Sequence, residues 1–306
     1  MKNIKYIDNG IIVIIVILLY GLNYSCVKLN RETNILYDLG LPKNRNTYKL
    51  KGEVRAMVEM TYNADSIRNE LIKGDEQNRK SIIFNRDGSI LELAEGTIKY
   101  HDMKQMTYKY GNDASLRSII VIRSDPEDTG TMECNYSDGR LSYYTTPTDS
   151  LTVDYKDDEN VVIITEHNKG AGLLNDDFIK VKFDVAQKII YKIEGRYGSV
   201  NYDTTYFTYN EAKSTKTKIQ VRFDSDDAKK IGEVHTVERY DVQGNIMNEK
   251  VYSAMINPAT NKLEVPELMD DVNYIYKYDD KNNWTERIRI VNMKATSISE
   301  RQLEYY

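Results

Sequence analysis

Apolar and polar residues alternate with a period of two along most of this chain, and short clusters of turn formers interrupt the alternation. "YIYKYDDKNNWTERIRIV" (274–291) shows the form: alternating tyrosines, an acidic, Asn-rich knot, then alternation again. Related stretches begin upstream: "IIFNRDGSILEL" at 82, "TYKYGNDASLRSIIVI" at 107, "MECNYSDGRLSYY" at 132 and "TVDYKDDENVVIIT" at 152. "IKVKFDVAQKIIYKI" at 179, "YFTYNEAKSTKTKIQV" at 206 and "VERYDVQGNIMNEKV" at 237 continue the series, and a half-copy, "RQLEYY", ends the chain. Each copy is an alternating run ending in an aromatic anchor, then four or five turn formers, then a second run. The anchors are Phe84, Tyr110, Tyr136, Tyr155, Phe183, Tyr209, Tyr240 and Tyr278.

Period-two alternation around a Gly/Asn/Asp cluster predicts a β-hairpin. The corners "RDG", "SDG" and "VQGN" supply Gly or Asn where φ must be positive. One hairpin is marginal in water, but stacked hairpins satisfy one another's backbone groups and bury a shared face. The expected fold is all-β: an elongated antiparallel meander of stacked β-hairpin repeats, a twisted or curled sheet with a shallow, Tyr-rich core. In the last copy Tyr274, Tyr276 and Tyr278 share one face. Beyond the corner the alternation puts Trp284, Ile288 and Ile290 on one face and Thr285, Arg287 and Arg289 on the other. Trp284 is expected to pack beneath Tyr276 and Tyr278. Upstream, Val54 to Tyr62 reads as another strand, residues 66 to 72 as a weak helical turn at most, and "RFDSDDAKKIGEVH" and "INPATNKLEVPELMDD" as surface excursions.

Composition supports thin sheets. There are 25 Tyr against 5 Phe and 1 Trp, and tyrosine suits half-buried surfaces because its ring is apolar and its tip wet. The formal net charge of −5, without a basic block, argues against a nucleic-acid partner. Two cysteines, Cys26 and Cys134, cannot build a disulfide scaffold. Cys134, in "TMECNY", reads as a buried structural thiol in a strand.

With the copies aligned, the "YDxxGN" corners resemble YD (RHS-type) repeats. The segment "LKGEVRAMVEMTYNA", the "FNRDGSILE" hairpin and "YKYDDKNNWTERI" together look like uncharacterised Bacteroidetes cell-envelope lipoproteins with such repeats. The likeness covers about residues 48 to 306 and implies an architecture rather than an activity. True RHS proteins resemble large shells around a toxic C-terminal domain. This chain departs from them, with eight copies and nothing after the last.

The N-terminus reads as a targeting segment. Lys2 and Lys5 precede an unbroken apolar run from Ile11 to Leu19, short of the ~20 residues that cross a bilayer. The segment resembles a bacterial lipoprotein signal, cleaved before Cys26 and lipidated on it, with Leu22 and Ser25 fitting a loose lipobox. An ordinary signal peptide and an uncleaved anchor are the alternatives. The expected organisation is a signal peptide over 1–25, a tether over 26–46 and a YD-like β-repeat domain over 47–306. The expected location is the cell envelope, as an outer-membrane lipoprotein.

Catalytic chemistry is sparse. His101, His167 and His235 sit in no metal-spaced cluster, and no GxSxG elbow or phosphate loop is present. The acidic corners are too short to wrap calcium alone and read as solvated turns. No metal or cofactor is expected. The sequon "NWT" at 283 reads as turn plus strand. The first functional reading is therefore a non-enzymatic, envelope-anchored structural or interaction module with a protein or glycan partner. The alternative is a carbohydrate-binding surface lipoprotein, in which Tyr276, Tyr278 and Trp284 would contact ligand. A hydrolase would require one of the histidines beside a carboxylate or serine in a pocket.

Overall fold

The computed structural model describes residues 44–67, 70–98, 102–112, 115–123, 129–137, 140–145, 149–168, 176–186, 188–196, 202–223 and 229–306. The chain divides into two compact units, Met1–Lys43 and Asn44–Tyr306. The first lies outside the described residues, and with it the signal segment and Cys26. His101 also lies outside them.

The second unit is a meander of nineteen strands. They are β1 (Val54–Ile67), β2 (Glu70–Phe84), β3 (Ile90–Thr97), β4 (Asp102–Tyr110), β5 (Leu116–Arg123) and β6 (Gly130–Ser137). β7 (Arg140–Thr145), β8 (Asp149–Lys156), β9 (Val161–Asn168), β10 (Asp177–Phe183), β11 (Ile189–Arg196) and β12 (Tyr202–Asn210) follow. The last are β13 (Thr215–Phe223), β14 (Lys230–Tyr240), β15 (Ile246–Asn257), β16 (Lys262–Leu263), β17 (Glu267–Tyr278), β18 (Trp284–Val291) and β19 (Lys294–Tyr305). Each strand pairs antiparallel with its neighbours in sequence, except that β16 stands aside and β15 pairs with β17. β19 then pairs with β1, from Val54↔Tyr305 to Asn63↔Ser297, so the meander closes into an eighteen-stranded barrel. The half-copy "RQLEYY" thus finds its other half at the start of the domain. Residues 66, 67 and 70–72 are strand, not helix, because β1 and β2 run on as a paired arm, Ser66↔Leu71.

The repeated corner has one construction. In five corners the first residue donates its N–H to the carbonyl four residues on: Asn85 to Ser89 (2.8 Å), and Gly111 to Ser115, Asp184 to Lys188, Asp241 to Asn245 and Asp279 to Asn283 (each 2.9 Å). Gly88, Gly244 and Asn282 take positive φ at the equivalent position (92°, 84° and 63°), which explains the Gly and Asn found there. Register slips by one residue at the anchor itself, for example at Phe84, Tyr110, Tyr136, Phe183, Tyr240 and Tyr278.

That bulge corrects one expectation. A bulge adds a residue to one strand and inverts facing beyond it. Tyr276 pairs with Arg287 and Tyr274 with Arg289, whereas Ile288 faces Ile275 on the opposite side. The arginines, not the isoleucines, therefore share the tyrosine face with Trp284.

Which side is inward follows from a short strap. Tyr48, in the 3-10 turn Arg45–Tyr48, meets Phe84 edge-on (6.3 Å between centroids). The Lys80 ammonium stands 5.9 Å from the Tyr48 ring, and Lys49 stands 5.4 Å from the ring of Tyr240. β2 and β14 are separated in the ring by β15, β17, β18, β19 and β1, so the side they present to one strap is concave. Following the register, the inward face of β2–β10 carries Ile82, Leu93, Met106, Ile119, Val162, Ile164 and Val181, all at most 1% exposed. The inward face from β11 round to β1 carries Lys192, Glu194, Lys218, Glu238, Arg287, Arg301 and Glu59.

Outward positions alternate with these and are mixed, with Ile83, Ile122, Tyr206 and Ile275 exposed among polar residues. Glu133, Asp154, Lys180, Lys182, Lys250, Asn273, Lys277 and Glu304 all point out. β7 has 6 residues and β10 has 7, against the ~9–11 that a strand needs to cross a bilayer. A Lys or Arg facing lipid at mid-bilayer would cost about 2–4 kcal/mol.

Candidate functional site

All the anchored corners lie at one end of the barrel, and the mouth they form is the most elaborated part of the described structure. Neighbouring corners are bolted together. Tyr305 donates its hydroxyl to Asp279 Oδ2 (2.5 Å), and Tyr278 donates to Asp241 Oδ2 of the corner before. The other oxygen of each aspartate closes its own corner: Asp279 Oδ1 accepts from the N–H groups of Lys281 and Asn283 (3.0 and 2.8 Å), and Asp241 Oδ1 from that of Asn245 (2.7 Å). Tyrosine and aspartate thus recur together because the tyrosine of one hairpin completes the aspartate of the last. Other anchors use other acceptors: Tyr110 bonds Ile90 O (2.8 Å), Tyr209 bonds Ile189 O (3.1 Å) and Tyr240 donates to Glu238 Oε2. Burial would raise the Asp279 carboxyl, but the bonds from Tyr305, Asn283 and Lys281 outweigh it and hold it below the usual range. Burial, then the Asp279 contact, pushes Tyr305 up to about 12.

The strap Asn44–Gly52 crosses this mouth. Arg45 donates from its backbone to Gly88 O (2.8 Å) and from its guanidinium to Arg86 O (3.0 Å). Lys49 Nζ donates to Gly244 O (2.5 Å). Lys51 N–H donates to Asn283 Oδ1 (2.6 Å), and Asn283 Nδ2 returns a bond to Lys51 O (2.9 Å). Burial pulls Lys49 below the ordinary lysine value, against the opposing pull of Asp241 and Glu238. Asn283, the sequon asparagine, is 2% exposed and spends its amide on the strap and Tyr305.

Tyr276, Tyr278 and Trp284 do come together. Tyr276 lies 5.8 Å from Tyr278, 6.1 Å from Trp284 and 6.3 Å from Tyr274, centroid to centroid. The guanidinium groups of Arg301 and Arg287 lie 3.6 and 4.9 Å from the Trp284 ring, within cation–π range. Arg301 Nε donates to Glu59 Oε2 (2.8 Å) and Arg287 donates to Ser299 Oγ (3.2 Å). Trp284 is 5% exposed, and Tyr276 donates its hydroxyl to Ile246 O (2.8 Å). The ladder is a packed, self-satisfied cluster on the inward wall, not an open aromatic platform.

Beside it the mouth holds a cavity of about 470 Å³ lined by Lys188, Tyr209, Asn210, Glu211, Ser214, Thr215, Lys216 and Tyr240. It forms because β12 ends in the 3-10 turn Glu211–Lys213, capped by Asn210, whose side chain accepts from Lys213 N–H (3.1 Å). Lys188 and Lys216 stand 5.3 and 5.9 Å from the Tyr209 ring centroid, and Lys188 is paired to Glu211. Burial pushes the Tyr209 hydroxyl up to about 12. The one local sign of this cavity is an anchor followed by "NEAKS" instead of a Gly corner. A second cavity, about 390 Å³, is lined by Glu59, Thr61, Asn78, Lys80, Glu95 and Thr97 among others.

His167 Nδ1 lies 2.6 Å from Asp176 Oδ2 and its Nε2 lies 3.2 Å from Thr152 Oγ1. His235 Nε2 lies 2.6 Å from Glu233 Oε2. Both histidines are on outward positions, and neither lines either cavity. Among the described residues no group of three or more His, Cys, Asp or Glu side chains is placed to hold a metal ion. Cys134 is 4% exposed within β6.

No family model matches the chain, and no curated protein matches it. Among solved structures it is similar to a porin-like protein from Bacteroides uniformis, at 11% identity and a TM-score of 0.30 over 83% of this chain and 98% of that one. It is also similar to the TcdB2–TccC3–TEV structure, at 10% identity and a TM-score of 0.19 over 75% of this chain, which spans 16% of the length of that one. TcdB2–TccC3 matches at 10% identity and a TM-score of 0.18, over 69% of this chain and 16% of that one.

Proposed function

We propose that this chain is a water-facing β-repeat barrel, held at the cell envelope by a lipidated Cys26 and acting as a non-enzymatic structural or interaction module. The observation that carries the reading is the set of outward charges, among them Glu133, Asp154, Lys180, Lys182, Lys250 and Lys277: a barrel that does not sit in lipid needs another way to stay at a membrane, and Cys26 provides one. The strap fits the same picture, since the chain leading from Cys26 enters the fold at the mouth. Metabolic labelling with an alkyne fatty acid tests it. The full chain takes up label and leaves the membrane fraction only with detergent, whereas Cys26→Ala takes up none and is released by carbonate. A Cys26→Ala protein that still needs detergent overturns the reading.

A second reading, carbohydrate capture, is favoured by the mouth cavity rather than by Tyr276, Tyr278 and Trp284. The cavity volume lies in the range of small-ligand sites, roughly 300–1,000 Å³, and combines aromatic rings with hydroxyl and amide groups.

A further inference from the structure

The second cavity, of about 390 Å³, lies at the other end of the barrel from the mouth, and we infer that it binds a small neutral saccharide through its hydroxyl groups. It is a separate site and does not rest on the mouth cavity. Its position follows from β3, which ends at Thr97 opposite Asn78, far along the strand from the Phe84 corner. Its shape follows from β1, whose pairing with β2 slips twice between Thr61 and Ala64, since bulges bend a strand and re-aim its side chains. Two rows of inward side chains run past it on adjacent strands. Ser299, Thr61, Asn78 and Thr97 make a neutral row across β19, β1, β2 and β3. Arg301, Glu59, Lys80 and Glu95 make a row of alternating charge beside it.

Each charge that lines the cavity has a counterion. Lys80 Nζ lies 2.8 Å from Glu95 Oε2, Arg301 Nε donates to Glu59 Oε2 (2.8 Å) and Arg79 Nε donates to Glu76 Oε1 (2.8 Å). An ionic ligand therefore gains no new partner and meets a like charge, while losing its water. A hydroxyl group is suited differently, because it both donates and accepts. Thr97 donates to Asn78 Oδ1 (3.1 Å), which leaves the Asn78 Nδ2 protons for a ligand oxygen. Thr61 Oγ1 and Ser299 Oγ share one bond (3.0 Å) and keep lone pairs to accept with. The Lys80 ammonium adds a donor and the Glu95 carboxylate an acceptor, and hydrogen bonds to charged groups are the stronger kind. Asn78 is exposed, so a ligand reaches it from solvent. Among the described residues no aromatic ring lines this cavity, so recognition falls to the hydroxyls, and the volume suits a mono- or disaccharide.

Calorimetric titration of the full chain with glucose, galactose and mannose, and with the matching uronates and 2-amino sugars, tests the assignment. At least one neutral sugar is expected to bind at least about tenfold more tightly than its own uronate and amine, with an affinity that added salt leaves unchanged. Asn78→Leu is expected to weaken that binding at least about tenfold. Tyr209→Ala, at the mouth, is expected to leave it unchanged, with melting temperatures showing that both variants are folded. Should Asn78→Leu unfold the protein, acylation of the wild type by a lysine reagent replaces it: the bound sugar protects Lys80 and not the outward Lys277. Equal affinity for neutral and charged sugars, or no protection of Lys80, overturns the inference. Binding that survives Asn78→Leu and is lost with Tyr209→Ala also overturns it, and assigns the sugar to the mouth cavity instead. Binding of none of the three neutral sugars overturns it outright.

Discussion

The two arcs of the barrel interior are built from the same hairpin and filled differently. From β2 to β10 the inward side is largely aliphatic, with Ile82, Leu93, Met106 and Ile119 at most 1% exposed, and the charges it carries, such as the Lys80–Glu95 pair, are few. From β11 round to β1 it is charged and cross-linked, with Glu59, Arg301, Arg287 and Trp284 in one cluster and Lys218 paired to Glu238 in another. The corners hardly change between arcs. The difference teaches that the repeat specifies the corner and its bolt to the neighbour, whereas the strand interior is free to be oil or salt provided every buried charge is partnered.

The arcs should therefore break in different ways. Glu59→Ala has the largest expected effect, about 3–5 kcal/mol by denaturant titration, because it leaves Arg301 buried without its carboxylate. Replacing both partners with Met should recover much of that loss. On the apolar arc Ile119→Ala, at a site 0% exposed, should cost about 2–4 kcal/mol through the cavity it leaves, and no second substitution of a charge should rescue it. Tyr278→Phe removes the hydroxyl that bolts the last two corners at Asp241 and should cost about 1.5–3 kcal/mol. A smaller change shared equally by both arcs would merge them into one kind of core.

Acid distinguishes the arcs by sign. Burial works to raise the Glu238 carboxyl, but the bonds from Lys218 and Tyr240 hold it below the usual range. Its contribution is present above the ordinary carboxylate value and is lost as pH falls through the lowered one. Glu166, on the apolar arc, goes the other way: burial first, then Asp149 and Asp177, raise it. Its raised value favours the folded state only at low pH, and that advantage is lost as pH rises through the folded value. Glu166→Gln should therefore raise the melting temperature near neutral pH, while Glu238→Gln lowers it and flattens the acid limb between about pH 5 and 3. Thermal melts across that range check both. Smallest of all, Arg55→Ala removes an outward pair with Glu304 whose side chains are 57% and 59% exposed, and should change stability by less than about 1 kcal/mol.

The hairpins, their anchors and their Gly or Asn corners were legible because alternation and turn chemistry are local. Closure was not, since nothing in "RQLEYY" or "LKGEV" names its partner until both edges are free. The facing of Arg287 and Arg289 was misread because a bulge costs one residue and leaves no mark on composition. The strap was invisible for a related reason. Most of its hold is backbone hydrogen bonding from Arg45 and Lys51, and residues 27–46 show no periodicity to betray it. Trp284 was placed correctly against Tyr276, but Arg287, which stands over it, was assigned to the other side, and Arg301 was given no place at all.

The claim on which the rest depends is that the barrel wall faces water. Expressing the chain without residues 1–25, with Cys26→Ser, and purifying it with no detergent at any step tests that directly. A folded monomer with a sharp melting transition and a β-rich circular dichroism spectrum is the expected result. A protein that precipitates without detergent, and regains that spectrum only in micelles or vesicles, would contradict it.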